Sequence, residues 1–405
     1  MAALTKELTV GKPLTLILNF TLPLLLGNLL QQTYSLVDAV IVGRFLGIDA
    51  LASVGASTSV VFLILGFCNG CCGGFGIPVA QKFGARDYAE MRRYVFVSLR
   101  LAAVMSIALA VVTSLLCGII LRIMQTPETI FRGAYAYLLV TFIGIPCTFY
   151  YNLLACVIRA LGDSRTPFWF LLFSTVLNIV LDLVCILLLG WGVAGAGIAT
   201  VFSQGVSAWL CYRYMMRRFE VLRSTPEERR YNGRLARRLL SIGVPMGLQF
   251  SITAIGSIML QSANNALGTA CVAAFTTAMR IKMFFMCPLE SLGIVYWAFT
   301  FVVLITSAQS LARLFVSASE TEILQDTALF LHVSVSFFPV LGLLCILRYT
   351  IQGVGFTKLA MLSGVSEMIA RILVSLLAVP AFGYIAVCFG DPTAWICADL
   401  FLIPA

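Results

Sequence analysis

The feature that most constrains this chain is a series of apolar runs, each long enough to cross the roughly 30 Å hydrocarbon layer of a bilayer as an α-helix. In the first half they lie at Leu14 to Phe45, Leu51 to Gly76, Tyr94 to Ile123, Ala134 to Ala160, Pro167 to Leu189 and Gly195 to Met215. In the second they lie at Leu239 to Leu267, Val272 to Ser291, Ile294 to Phe315, Thr327 to Gln352 and Lys358 to Phe382, with a last one from Thr393. With 60% hydrophobic and only 11% charged residues, the 405-residue chain is no ordinary soluble domain. The pattern predicts an all-α membrane protein of about twelve spans.

Between the halves stands one long polar run, Arg213 to Arg238, with nine Arg against three Glu. Each such charge at the bilayer centre costs roughly 3 kcal/mol on insertion scales, so the run is expected on a membrane surface, and its sign assigns it to the cytoplasmic side. The reading divides the chain into an amino-terminal lobe (1–212), a basic linker (213–238) and a carboxy-terminal lobe (239–405). With both termini cytoplasmic, the inside loops carry Lys6, Lys12, Lys82, Arg86, Arg92, Arg93, Arg159, Arg165, the central arginines, Arg348 and Lys358. The outside loops carry only Arg44, Arg122, Arg132 and Arg313. The net charge of +9 is thus spread as topology signals and forms no basic groove for nucleic acid. The amino terminus has no small-residue cleavage site and reads as a retained first span. Most of the thirteen Cys, among them Cys68, Cys71 and Cys72, lie in apolar runs as small buried hydrophobes.

The halves align with each other. LGIDALASVGA at 46–56 matches LGTACVAAFTT at 267–277, and LGDSRTP at 161–167 matches QGVGFTK at 352–358. The offset falls by about thirty residues between these matches, so the second half is expected to be shortened between its second and third spans. The stretch from Thr393 is expected to form a stunted final helix. With an even number of spans in each half, the repeats are parallel.

Polar residues inside the spans are the candidates for function. Gln31, Tyr34 and Asp38 share a face of the first span, and Asn178 and Asp182 share a face of the fifth. Thr200 lies at similar depth in the sixth. Two carboxylates close together in low dielectric share a proton or a cation, and Asn and Thr oxygens complete the shell. Asp38, Asn178, Asp182 and Thr200 are therefore read as a cation or proton coupling site. Gln31, Tyr34 and Lys282 are read as a substrate cavity, and Glu367 and Arg371, four apart, as a structural ion pair. His332 has no metal-ligand spacing around it, and no metal beyond a coupling Na⁺ and no cofactor is expected. The GxxxG spacing of Gly66, Gly70 and Gly74 reads as close helix packing, and Pro23, Pro146 and Pro245 as kink points.

Taken in order, Pro23 to Gly47 with Asp38, QKFGARDYAEMRR at 81–93, RALGDSRTP at 159–167, NIVLD at 178–182, GVAGAGIAT at 192–200, MRIKMFFMCPLESLG at 279–293 and SEMIAR at 366–371 resemble the multidrug and toxic compound extrusion (MATE) transporters. The resemblance implies two six-helix lobes around a central cleft, open alternately to either side, and no enzymatic activity. It further implies export of amphipathic, chiefly cationic small molecules in exchange for H⁺ or Na⁺ from a multi-pass cell membrane protein, read here as a monomer. The resembling family places its amino-lobe cation site on positions matching those above. Two other readings compete: a flippase for lipid-linked oligosaccharide, whose cleft should offer cations to a pyrophosphate where the first half offers acids, and a non-transporting remnant or fragment, favoured by the thirty-residue loss.

Overall fold

Apolar side chains and short connections dictate helices here, since backbone N–H and C=O groups in hydrocarbon must pair within their own segment. The computed structural model describes residues 13–404 except 125, 127, 223, 224, 226, 227, 229–231, 293 and 314–319. The first half contains α1 (Pro13–Leu46), α2 (Ile48–Gly84), α3 (Tyr88–Ile123), α4 (Glu128–Ile143), α5 (Ile145–Ala160), α6 (Arg165–Leu183) and α7 (Gly192–Arg218). The second contains α8 (Gly233–Asn265), α9 (Thr269–Leu292), α10 (Ile294–Ala312), α11 (Thr321–Ser336), α12 (Phe338–Val354), α13 (Thr357–Leu373), the short α14 (Val379–Phe382) and α15 (Tyr384–Cys388), and α16 (Gly390–Leu402).

Among the described residues, six helices and two bent pairs are long and apolar enough to cross a membrane. The repeat appears in irregularities as well as in helix order. α4 meets α5 at a bend of 48°, next to Pro146, and α11 meets α12 at the same angle. A π-helical turn follows α6 at Val184–Leu188, and another follows α13 at Val374–Ala378. Counting each bent pair, and α13 with α14 and α15 with α16, as single spans gives twelve. The second half is shorter where the alignment offset falls: α2 and α3 have 37 and 36 residues, α9 and α10 only 24 and 19.

By packing, the chain divides into two units, Met1–Gly247 and Leu248–Ala405. The basic segment at 213–238 lies within the first of them. The ends of that segment continue α7 and begin α8, and Phe219 and Leu222 between them are buried in the first unit's core. Arg92 grips the segment with a fork, donating from Nε to Glu228 Oε2 at 2.8 Å and from Nη2 to Oε1 at 2.6 Å, while Nη1 reaches the Val221 carbonyl at 3.1 Å. The Thr225 amide adds a donor to the same carboxylate at 3.0 Å. The charge count that marked this stretch as polar concealed its two apolar anchors. Arg348, assigned above to an inside loop, instead lies within α12 and pairs with Glu367. His332 lies toward the carboxyl end of α11.

The first unit's helices approach closely along a glycine seam. A Cβ on Gly74 would sit 2.5 Å from the Cα of Gly243 on α8, and one on Gly70 2.5 Å from the Met246 carbonyl oxygen. Only hydrogen fits at these crossings, the geometry that small-residue spacing produces where backbones touch. Cys68, Cys71 and Cys72 lie on the same stretch of α2, fully buried.

At one end of this unit, short turns are tied by local hydrogen bonds. Arg86 adopts φ 58° between α2 and α3, and Asp87 then caps α3 by accepting from the Glu90 amide at 3.2 Å. Lys82 pairs with Asp87 at 3.2 Å and with Glu90. Asp163 starts α6 by accepting from the amides of Arg165 and Thr166 at 3.0 Å each, and Tyr214 of α7 also reaches its carboxylate.

Gly74→Val is expected to destabilise the protein by at least about 1–3 kcal/mol, the usual cost of overpacking, read as a lowered melting temperature in detergent. The hydrogen-bonded Arg92 guanidinium holds the Glu228 carboxyl down from its ordinary 4.5 to about 2. Its contribution is therefore complete above pH 4.5 and lost as the pH falls through 2. Glu228→Gln should melt lower than wild type near neutrality, and the difference should shrink across that acid window.

Candidate coupling site

The polar residues read from the spacing of α1, α6 and α7 meet at one place in the first unit. The Tyr34 hydroxyl on α1 lies 3.0 Å from Thr200 Oγ1 on α7, whose hydroxyl in turn donates to the Ala196 carbonyl at 3.0 Å. Asn178 on α6 is 1% exposed and bridges the cluster. With its amide turned so that both ends have partners, it donates to Asp182 Oδ2 at 2.9 Å and accepts from the Thr200 amide at 3.1 Å. Asp182 is fully buried, and the Asp38 carboxyl, reaching in from α1, lies within electrostatic reach of it. Oδ1 of each aspartate is buried with no partner among the described residues.

Each helix contributes for a local reason. Asn178 and Asp182 stack at i,i+4 in the last two turns of α6, just before the π turn, and π turns recur at functional sites. α7 is rich in small residues at this level, with Gly195, Ala196, Gly197 and Ala199, so neighbouring helices come close. A Cβ on Gly197 would lie 3.6 Å from the Tyr137 ring of α4. Tyr137 is within electrostatic reach of both aspartates and of Tyr34, and sequence reasoning missed it. One more aromatic in an apolar run carries no signal of its own. Gln31, on the same face of α1, is exposed and outside this cluster.

All the polar atoms gathered here are oxygens or an amide, a donor set suited to a proton or a hard cation. Two adjacent carboxyls hydrogen-bond only if a proton lies between them, and otherwise repel unless a cation bridges them. The unpartnered Oδ1 atoms leave room in the coordination of either species.

The second unit treats its buried charges differently. Lys282 on α9 is 2% exposed and pairs with Asp391 on α16, with its ammonium 5.1 Å from the Phe330 ring centroid. Asp391 also accepts from Arg371 Nε at 2.9 Å. Arg371 donates to Glu367 at 3.3 Å, and Glu367 pairs in turn with Arg348, which donates as well to Ser363 Oγ at 3.1 Å. The pair read from the i,i+4 spacing of Glu367 and Arg371 is thus the middle of a five-residue network over four helices, and the Lys282 charge is satisfied inside it. Arg280, two residues before Lys282, is exposed. Asp399 on α16, also unforeseen, is buried with neither carboxylate oxygen partnered among the described residues.

A polytopic helical protein of two six-helix repeats, with an acidic oxygen cluster buried in the first, is the class that fold and site define. The MatE family profile matches residues 23–184, the part of the chain that carries most of this cluster. The Bacillus subtilis proteins named "Probable multidrug resistance protein YpnP" and "YoeA" are 31% and 33% identical to this chain over 71% and 68% of its length. Those alignments span 64% and 61% of the two relatives, a little under two thirds of each. Over these matched residues the chain is similar to the MATE family. A solved structure titled "Outward-facing conformation of a multidrug resistance MATE family transporter" shares the fold at TM-score 0.89 and 21% identity, covering 97% of this chain and 95% of that one. A MOP superfamily transporter from Pyrococcus furiosus, titled for the reverse polarity of its binding pocket, does so at TM-score 0.87 and 22% identity, with 97% and 96% covered.

Asp391→Asn leaves Lys282 and Arg371 short of a buried countercharge and should cost about 3–5 kcal/mol of stability. Glu90→Gln, at the partly exposed Lys82 pair, should leave stability nearly unchanged. Thermal unfolding of the two variants side by side measures the contrast.

Proposed function

We propose that this chain is a secondary active antiporter that exports amphipathic, chiefly cationic small molecules in exchange for H⁺ or Na⁺, with Asp38 and Asp182 as its coupling pair. The observation that carries the reading is the contact of two carboxyls, each with a buried oxygen left over, among Asn178, Thr200 and Tyr34. Such a pair releases its proton or cation only when its surroundings change, and that links ion movement to protein shape. Binding an ion neutralises the pair and draws α1 toward α6. Losing it restores the repulsion and frees α1, whose Pro23 leaves one backbone hydrogen bond unmade as a place to bend. The names of the two Bacillus relatives support small-molecule efflux.

In this scheme the two repeats alternate access to a site facing either side of the cell membrane, the usual motion of transporters built from repeats. The basic segments and both termini face the cytoplasm, in line with the positive-inside rule. The protein acts as a monomer in the bilayer.

Asp38→Asn and Asp182→Asn should each abolish ion-driven efflux of a fluorescent cation from proteoliposomes while keeping a wild-type melting profile. Tyr137→Phe should retain transport but shift its pH dependence. Separate pH and Na⁺ jumps identify the coupling ion, and full transport by either Asn variant would exclude this pair as the coupling site.

A further inference from the structure

Asp399 on α16 belongs neither to the Asp38 cluster nor to the pairs of the second unit's charge network, although it lies beside that network. It is 5% exposed, and neither carboxylate oxygen has a hydrogen-bond partner among the described residues. The network itself is an alternating series, running Lys282, Asp391, Arg371, Glu367, Arg348. Each member is paired, yet three cations stand against two acids, and the series ends on a cation.

α16 carries two acids eight residues apart, roughly 12 Å along its axis at 1.5 Å per residue. The first, Asp391, joins the series at the Lys282 and Arg371 end. The second, Asp399, lies at the other end, within electrostatic reach of Arg348 on α12 and Glu367 on α13. α11 and α15 also touch α16, and among the described residues they bring no titratable group within reach of Asp399.

Two influences oppose each other at this carboxyl. A bare carboxylate buried without hydrogen bonds is unfavourable, so in the arrangement described Asp399 holds a proton. A guanidinium nearby favours the anion and can receive it once the proton leaves. Burial alone would lock the proton in place, and the cation makes it exchangeable. Ionised, Asp399 would also bring the series to three acids against three cations.

We propose that Asp399 is a proton-binding site of the second unit, with Arg348 as the cation that takes up its carboxylate when the proton departs. The ligand is a proton rather than a metal cation, which the Arg348 guanidinium would repel. This site does not depend on the antiport reading, because its test reads a proton on one carboxyl and no transport.

Infrared difference spectroscopy of the purified full chain, titrated from acid to alkaline pH beside D399N, tests the assignment. Asp38 and Asp182 contribute alike to both proteins, so the comparison isolates Asp399. Wild type should show a protonated-carboxyl C=O stretch that D399N lacks, and raising the pH should abolish that band. Glu367→Gln removes the acid that competes for Arg348 and should move the midpoint of the same band down by about one pH unit or more. Asp399 stays in place in this variant, so the assignment stands or falls even if D399N misfolds. Spectra of wild type and D399N that match at every pH would overturn it, as would a band that persists throughout the titration, the mark of a locked structural acid. An unchanged midpoint in Glu367→Gln would overturn it as well, since Arg348 would then not be the cation that receives the carboxylate.

Discussion

Hydrocarbon offers no countercharge, and this requirement organises the structure more than any other: each ionisable group within the spans must find its partner inside the protein. The second unit meets it completely at one place, where Lys282, Arg348 and Arg371 face Glu367 and Asp391 across four helices. The first unit meets it only in part. Asp38 and Asp182 face each other with no side-chain cation beside them among the described residues, and each keeps a buried oxygen without a partner there. The repeats thus separate two tasks. One half carries its cations as side chains, and the other keeps buried carboxylate oxygens without a partner among the described residues. A network closed on itself resists change, and an incomplete one responds to it.

The helices around the acid pair can be that sensitive because their scaffold is held firmly elsewhere. The glycine seam brings backbones of α2 and α8 into direct contact, and the Arg92 to Glu228 fork fastens the segment after α7 to the start of α3. Neither device involves the polar cluster. Packing contributes stability where side chains are small or absent, and polar atoms gather where α7 leaves room for them.

Much of this was legible in the sequence, and the limits of that legibility are physical. Run lengths located the spans, because the thickness of a bilayer fixes how much apolar helix is needed. Helical spacing put Asn178 with Asp182 and Tyr34 with Asp38, and similar depth brought the two faces and Thr200 together. Periodicity says which residues share a face of their own helix and is silent about the helix opposite. Tyr137 was missed for that reason, and so was Asp391, which converts a local pair into a network. Arg348 was misplaced because a charge near a span's end reads as a loop signal, although a buried glutamate can hold it inside. The basic segment read as a linker because charge dominates its composition, and Phe219 and Leu222 were too few to alter that.

The paired π turns have a historical consequence. Val184–Leu188 and Val374–Ala378 are each five residues long, and each directly follows the helix that bears its half's key charges. A widened turn is a costly irregularity, and two independent acquisitions at matching places are less economical than one inheritance. The widened turn is then older than the duplication that produced the two halves. The charges beside it came to differ later, Asp182 on one copy and Arg371 on the other. The ancestral half already had the distorted helix end on which both arrangements were built, so the backbone was settled before the division of labour began.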